Sequence, residues 1–341
     1  MTLLRVTDRG LYCEAGDFHI DPWGSVDRAV VTHAHGDHVA WGCGAYLTAA
    51  PGVGVLRLRL DPAARVRGLT YGERIDVHGV RVSLHPAGHI LGSSQVRVEH
   101  GGEVWVVSGD YKTDPDPTCA AFEVVRCHTF VTECTFGLPV YRWRKTADVL
   151  ADVHAWWQAN QGAGKASLLF GYALGKAQRL IAGLDPSVGP ILTHGSVERM
   201  NAAYRAEGIP LAPTTHVAAS DRTIWKQAMI VAPPSTDGST WARRFGAQST
   251  AFASGWMAIR GTRRRRAVDR GFAISDHVDW PSLLAAIDGT GAERVWATHG
   301  YTAVLVRWLR EQGRDALAIE TRYEGERDDA LDPVDEAPPS G

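Results

Sequence analysis

Apolar and polar positions along residues 2 to 21 alternate with a period of two, which predicts two or three short strands ending in Phe18-His19-Ile20-Asp21-Pro22. The apolar run Ala29-Val30-Val31 predicts a short buried strand. Residues 40 to 60 predict a helix start and a further strand, and residues 63 to 84 alternate as hairpin strands around glycine-containing turns. Glu103 to Val107 and Val131 onward give two more apolar strands, and Arg294 to Ala297 a last one. Between them the period changes. Ala147 to Asn160 carries apolar residues at 149, 150, 153, 156 and 157, the spacing of one helix face, and Lys165 to Phe170 returns to a strand. Strand and helix patterns then alternate through Pro190–Thr193, Val197–Ala206, Met229–Ala232 and Thr250–Ala253. That rhythm predicts an α/β segment over residues 146 to 262, interrupting a strand-rich one.

Chemistry gathers where these strands end. Thr32-His33-Ala34-His35-Gly36-Asp37-His38 follows Ala29–Val31 directly, and its glycine permits a sharp turn. A polar loop is the plain alternative, but four ligand-type side chains in six residues after a buried strand favour a metal site. Imidazole and carboxylate suit zinc or, with more oxygen ligands, manganese. No cysteine lies close enough for a structural thiolate site. Asp21 is a turn-former before proline or a carboxylate that ties down a ligand imidazole. Further on, Gly88 precedes His89, and Gly109 precedes Asp110 at the end of the Glu103 strand. Taken alone, Gly109-Asp110 is a turn that this pair makes readily. His85, before a proline, reads as structural.

These motifs resemble the metallo-β-lactamase superfamily, whose two-metal hydrolases carry HxHxDH after a strand. The resemblance implies an α/β fold, a four-layer αββα sandwich. It also implies two divalent ions, Zn or Mn, with His33, His35 and His89 on one, Asp37, His38 and His299 on the other, and Asp110 on both. Asp21 would orient a ligand imidazole, and Asp37 would also orient the attacking nucleophile. Thr132-Glu133-Cys134 and Ser275-Asp276-His277 narrow the resemblance to the β-CASP nuclease branch, and to its bacterial DNA ligase-associated exonucleases through Leu138-Pro139-Val140-Tyr141-Arg142-Trp143. In that branch the counterpart of Glu133 is the first signature, His277 protonates the leaving group, and His299 serves the second metal. The implied division is 1–145 and 263–323 for the metallo-β-lactamase domain, with 146–262 as an inserted β-CASP cap.

Nucleic-acid contacts are expected where basic and aromatic residues interleave, at Arg142, Trp143, Arg144 and Lys145. They are also expected at Lys176, in Gly175-Lys176-Ala177-Gln178 before a helix, where backbone amides and a base could receive phosphate. Arg263 and Arg264 belong to a run of five arginines between 260 and 266. His194, inside the cap, reads as structural or substrate-contacting.

Composition changes this picture little. The chain has 341 residues and 45% apolar content, enough for one large or two ordinary core-forming domains. Its net charge of −2 hides an asymmetry: residues 324–341 hold seven acids and one arginine, −6, so residues 1–323 stand at +4. The acidic end reads as a disordered tail. Five cysteines without CxxC pairing, no leader-like N-terminus and no long apolar run point to a cytoplasmic protein with no membrane partner. The expectation is a metal-dependent DNA exonuclease acting on single-stranded or end-containing DNA in repair, in association with a DNA ligase. The alternatives are an RNase of the mRNA 3′-end-processing type, a small-molecule ester hydrolase such as a lactonase or thioesterase, and a catalytically silent end-binding scaffold.

Overall fold

The computed structural model describes residues 2–259 and 268–320. It is a mixed α/β structure whose described residues form two compact units, 2–142 with 276–320 and 143–259 with 268–275.

The first unit holds two sheets. A six-stranded sheet runs in chain order through Arg5–Thr7, Gly10–Cys13, Phe18–Ile20, Arg28–Val30, Ala45–Ala49 and Val66–Leu69, antiparallel over the first three strands and parallel afterwards. A seven-stranded sheet has the order Asp315–Ala318, Arg294–Gly300, Thr129–Cys134, Glu103–Val107, Ser94–His100, Val80–Pro86, Arg74–Val77. Alternation along the strands explains how they stack. Phe18, Ile20, Val30, Ala49 and Leu69 of the first sheet share one core with Val82, Leu84, Val96, Val98, Trp105 and Val107 of the second. The opposite face of the second sheet, with Val106, Phe130 and Val295, packs on Leu283 and Ile287 of the helix Trp280–Thr290 and on Leu305 and Leu309 of the helix Thr302–Glu311. Successive residues such as Trp105 and Val106 therefore serve different cores, as a period of two requires.

Residues 40 to 60 form their strand first and the short helix Val53–Arg57 after it. The strand expected to be the chain's last continues past Ala297 to Gly300, so His299 lies within it, beside a register shift at Glu133/Cys134, and a further strand, Asp315–Ala318, follows it.

The second unit is a six-stranded, wholly parallel sheet in the order Thr215–His216, Ile191–Thr193, Met229–Ala232, Ala166–Phe170, Gln248–Ala253, Arg270–Phe272. Val149, Val153, Trp156 and Trp157 of the helix Thr146–Gly162 bury against one face, with Leu180 and Ile181 of the helix Lys176–Gly183. Trp225, Trp241 and Phe245 cover the other. Burial on both faces explains why these strands read as continuous apolar runs. No described helix is long and apolar enough to cross a membrane.

Trp105 is fully buried between the sheets and meets the Trp296 ring edge-on at 4.7 Å. Trp105→Ala is expected to cost about 3–5 kcal/mol and lower the denaturant midpoint of unfolding; a midpoint within error of the parent would show that this core is not what holds the sheets together.

Candidate metal centre

Every candidate ligand sits at or just beyond the end of a strand in the first unit. Thr32–His38 leaves the strand Arg28–Val30, and Asp21 leaves its parallel neighbour Phe18–Ile20. The Asp21 carboxylate accepts from the Thr32 amide at 2.8 Å through Oδ1. Through Oδ2 it accepts from Thr32 Oγ1 at 2.6 Å and from His38 Nδ1 at 2.8 Å. One carboxylate thus fixes the start of the loop and the ring that ends it. Asp21 itself has φ +44°, a backbone state that costs a non-glycine residue and is held by these bonds.

Two other loops bring in the remaining groups, and glycines make their approach possible. A Cβ on Gly109, at φ +57°, would sit 2.6 Å from Thr32, and one on Gly88, at φ +75°, 2.2 Å from the Lys112 carbonyl. Gly109 therefore lets Asp110 reach the Thr32 loop, and Gly88 does the same for His89. The His89 amide donates to Ser93 Oγ at 3.0 Å, and its Nδ1 donates to the Asp276 carbonyl at 3.0 Å. A carbonyl only accepts, so Nδ1 carries the proton and Nε2 keeps the lone pair that faces the cluster.

The result is two groups sharing one carboxylate. His35 Nδ1 lies 3.1 Å from His33 Nε2 and 3.1 Å from His89 Nε2. Asp110 Oδ2 lies 3.5 Å from His33 Nε2, 3.4 Å from His38 Nε2 and 3.8 Å from His89 Nε2, and its Oδ1 lies 3.7 Å from His299 Nδ1. Among the described residues, His33, His35, His89 and Asp110 form one set of converging ligand atoms and His38, Asp110 and His299 a second; His277 converges with Asp110 and Glu133 and with His89 and Asp276 in two more. Asp37 Oδ2 is 4.0 Å from His38 Nε2, and its Oδ1 is buried without a hydrogen-bond partner among the described residues. This donor set fits divalent cations. Nitrogens 3.1 Å apart approach the roughly 3.3 Å between two ligands on one tetrahedral zinc, and several buried imidazoles around one carboxylate are what a cation relieves.

For His33 and His89 the electrostatics agree with that fit. Burial, reinforced by the neighbouring imidazoles, holds His33 and His89 well below the ordinary imidazole range, in the neutral form a metal needs. Burial also opposes charge on His38, but Asp110, Asp37 and Asp21 outweigh it and hold its pKa well above that range. Burial resists ionisation of Asp110, yet His38, His277 and a bond from His299 keep it well below the usual carboxylate range.

Beside the ligands stands a second pair. Glu133 is fully buried, and both its oxygens lie 3.0 Å from His277 Nδ1. Its Oε1 also accepts from the Tyr111 amide at 2.9 Å, and its Oε2 from Thr135 Oγ1 at 2.5 Å. Nδ1 of His277 is thereby the donor to Glu133, and Nε2 is left for the site. Asp276 Oδ1 lies 4.0 Å from that Nε2. Asp276 was missed in the sequence, although it sits beside His277; its carbonyl, which anchors His89, belongs to a residue 187 positions away.

No protein-family model matches the chain. Over 312 residues, 91% of its length, it is 31% identical to a probable DNA ligase of Opitutus terrae, of which that region is 30%. It is 31% identical over 125 residues to endoribonuclease ysh1 of Schizosaccharomyces pombe, covering 36% of this chain and 16% of that protein. Cleavage and polyadenylation specificity factor 73 of Drosophila melanogaster is 28% identical over 36% of the chain and 18% of its own length. The endoribonuclease and the cleavage factor to which the chain is similar are β-CASP metallo-β-lactamase nucleases. The chain spans less than a third of each of these curated relatives. The structure matches a protein of unknown function from Enterococcus faecalis V583 with a TM-score of 0.58 and 12% identity, over 86% of this chain and 79% of that one, a likeness of fold alone.

The expected nucleic-acid contacts are spread over both units. Arg142 is exposed in the first. In the second, Trp143 is half-buried, Lys145 is exposed, and the exposed Arg144 is paired with Asp152 at 2.7 Å. Lys176 departs from expectation. It is 2% exposed, because Gly175, at φ +85°, turns the chain into an inward-facing first helical turn capped by Gln178. Arg263 and Arg264 lie outside the described residues, as does the acidic end. His194 caps the helix Gly195–Ala206 by accepting from the Ser196 amide, a structural role, and His85 bonds to Ser83 and Glu123 away from the ligand set.

Asp21→Ala is expected to weaken divalent-ion affinity about 10- to 100-fold in a chelator competition, since the His38 ring loses its anchor. Parent-like affinity in that variant would show that Asp21 only shapes the turn.

Proposed function

We propose that the chain is a metal-dependent DNA exonuclease, hydrolysing phosphodiester bonds at DNA ends in cytoplasmic DNA repair, in association with a DNA ligase. The observation that carries this reading is Asp110, shared by two histidine clusters with the Glu133–His277 pair beside it. The reading of the fold is a four-layer αββα sandwich with the parallel-sheet unit as its β-CASP cap. DNA is favoured over RNA because the likeness to a probable DNA ligase runs through 91% of the chain, against 36% for the endoribonuclease.

Two divalent ions, zinc or manganese, held by His33, His35, His89 and Asp110 and by Asp37, His38, Asp110 and His299, would supply Lewis acidity and neutralise phosphate charge. The chain's own residues do the rest. Asp21 and the Asp276 carbonyl hold the imidazoles of His38 and His89 in place. Asp37, with a buried oxygen free to accept, orients the attacking nucleophile. Glu133 steadies the His277 imidazolium through Nδ1, so that Nε2 delivers its proton to the departing oxygen. A complete ligand set speaks against a silent scaffold, and the Glu133–His277 pair against a small-ester hydrolase. The resemblance to ysh1 supports the second reading, an RNase of the mRNA 3′-end-processing type.

End-labelled single-stranded DNA and matched RNA, each with Zn²⁺, Mn²⁺ or chelator, test the proposal. Stepwise shortening of DNA that needs metal and vanishes in His35→Ala is expected. His277→Ala should slow turnover about 10²- to 10⁴-fold with metal content intact. Cleavage of RNA alone would replace the DNA reading with the RNase one, cleavage of neither would remove both, and loss of metal in His277→Ala would make that residue a ligand instead.

A further inference from the structure

Of the twelve tryptophans, eleven are buried or half-buried, and one is not. Trp41 is 68% exposed, three residues beyond His38 on the same loop. A large aromatic ring held in water on a loop that leaves the metal site is an exception to how tryptophan is usually placed. Arginines meet both ends of the loop, and the backbone of Asp27 packs against Gly44. At the metal end of the loop, a methyl group on Gly36 would meet Arg59 Nη1 at 3.8 Å. At the far end, the Arg65 side chain donates Nε to the Gly44 carbonyl at 2.8 Å. Between them, Gly42 packs near Ser25, whose carbonyl accepts from Arg9 Nη1 at 3.3 Å. Arg9 and Arg65 are exposed and bond to carbonyls rather than to carboxylates, so their charge is available to an anion. The loop's own acid, Asp37, is turned to His38.

An exposed indole on a loop that arginines meet offers single-stranded DNA a face for a base and cations for its backbone. We infer that the 36–44 loop is a strand-binding platform, where a base a few nucleotides from the scissile bond stacks on Trp41 and the adjoining phosphates lie along Arg65 and Arg9. The platform rests on the nuclease reading for its substrate. It adds a site, within the first unit alone, to the contacts expected at 142–145. Stacking is tolerant of base identity, so the platform grips any sequence and extends the footprint beyond the terminal nucleotide.

The test is binding of fluorescently labelled single-stranded DNA with phosphorothioate linkages, which resists cleavage, to the metal-loaded protein by anisotropy. Trp41→Ala should weaken binding about tenfold, and Trp41→Phe, which keeps a ring, less than about threefold. Arg65→Ala should make the slope of log affinity against log salt shallower by about 0.7, one phosphate contact on a single strand. Hydrolysis of a p-nitrophenyl ester of thymidine monophosphate, too short to reach the loop, should be unchanged in all three. Unchanged DNA affinity in Trp41→Ala, or Trp41→Phe as weak as Trp41→Ala, would overturn the platform. Failure of the parent protein to hydrolyse the ester or DNA would instead overturn the nuclease reading, with the binding result still deciding the platform. A matched RNA bound more tightly than DNA, with the same loss in Trp41→Ala, would overturn DNA as its ligand.

Discussion

One buried carboxylate organises this site. Asp110 has four imidazoles within 4 Å, and against the effect of burial His38, His277 and His299 hold its pKa well below the usual carboxylate range. An isolated carboxylate in such a place would take up a proton. The same electrostatics divide the imidazoles: three carboxylates hold the pKa of His38 well above the ordinary range, while burial holds those of His33 and His89 well below it. The arrangement is costly for a protein alone and suited to one that holds cations.

The fold exists in this account to bring separate strand ends to Asp110. Neighbouring parallel strands deliver Asp21 and the Thr32–His38 loop, and the stacked second sheet delivers Asp110, Glu133 and His299. Gly88 and Gly109 allow the loops to meet where any Cβ would collide. The shared apolar core around Trp105 sets the distance between the sheets, so packing and ligand geometry are the same constraint expressed at two places.

Much of this could be read along the chain, because both strand alternation and metal ligands are local patterns. The strand ends carrying His33, His89 and Asp110 follow from apolar runs closed by a glycine-containing turn. What could not be read was non-local or directional. Nothing in the order of residues brings the Asp276 carbonyl to His89, and the Glu133–His277 pairing spans 144 positions. Lys176 looks like a phosphate ligand by composition, yet a left-handed Gly175 turns it inward. Trp41 carried no signal at all, since exposure is a property of the folded surface.

The proposed chemistry depends on Asp110 joining two cation sites. Metal content by inductively coupled plasma mass spectrometry, on the parent and on Asp110→Asn with matching circular dichroism, tests it directly. Two divalent ions per chain are expected in the parent and at most one in the variant. Two ions retained by Asp110→Asn would show that the carboxylate is not the bridge.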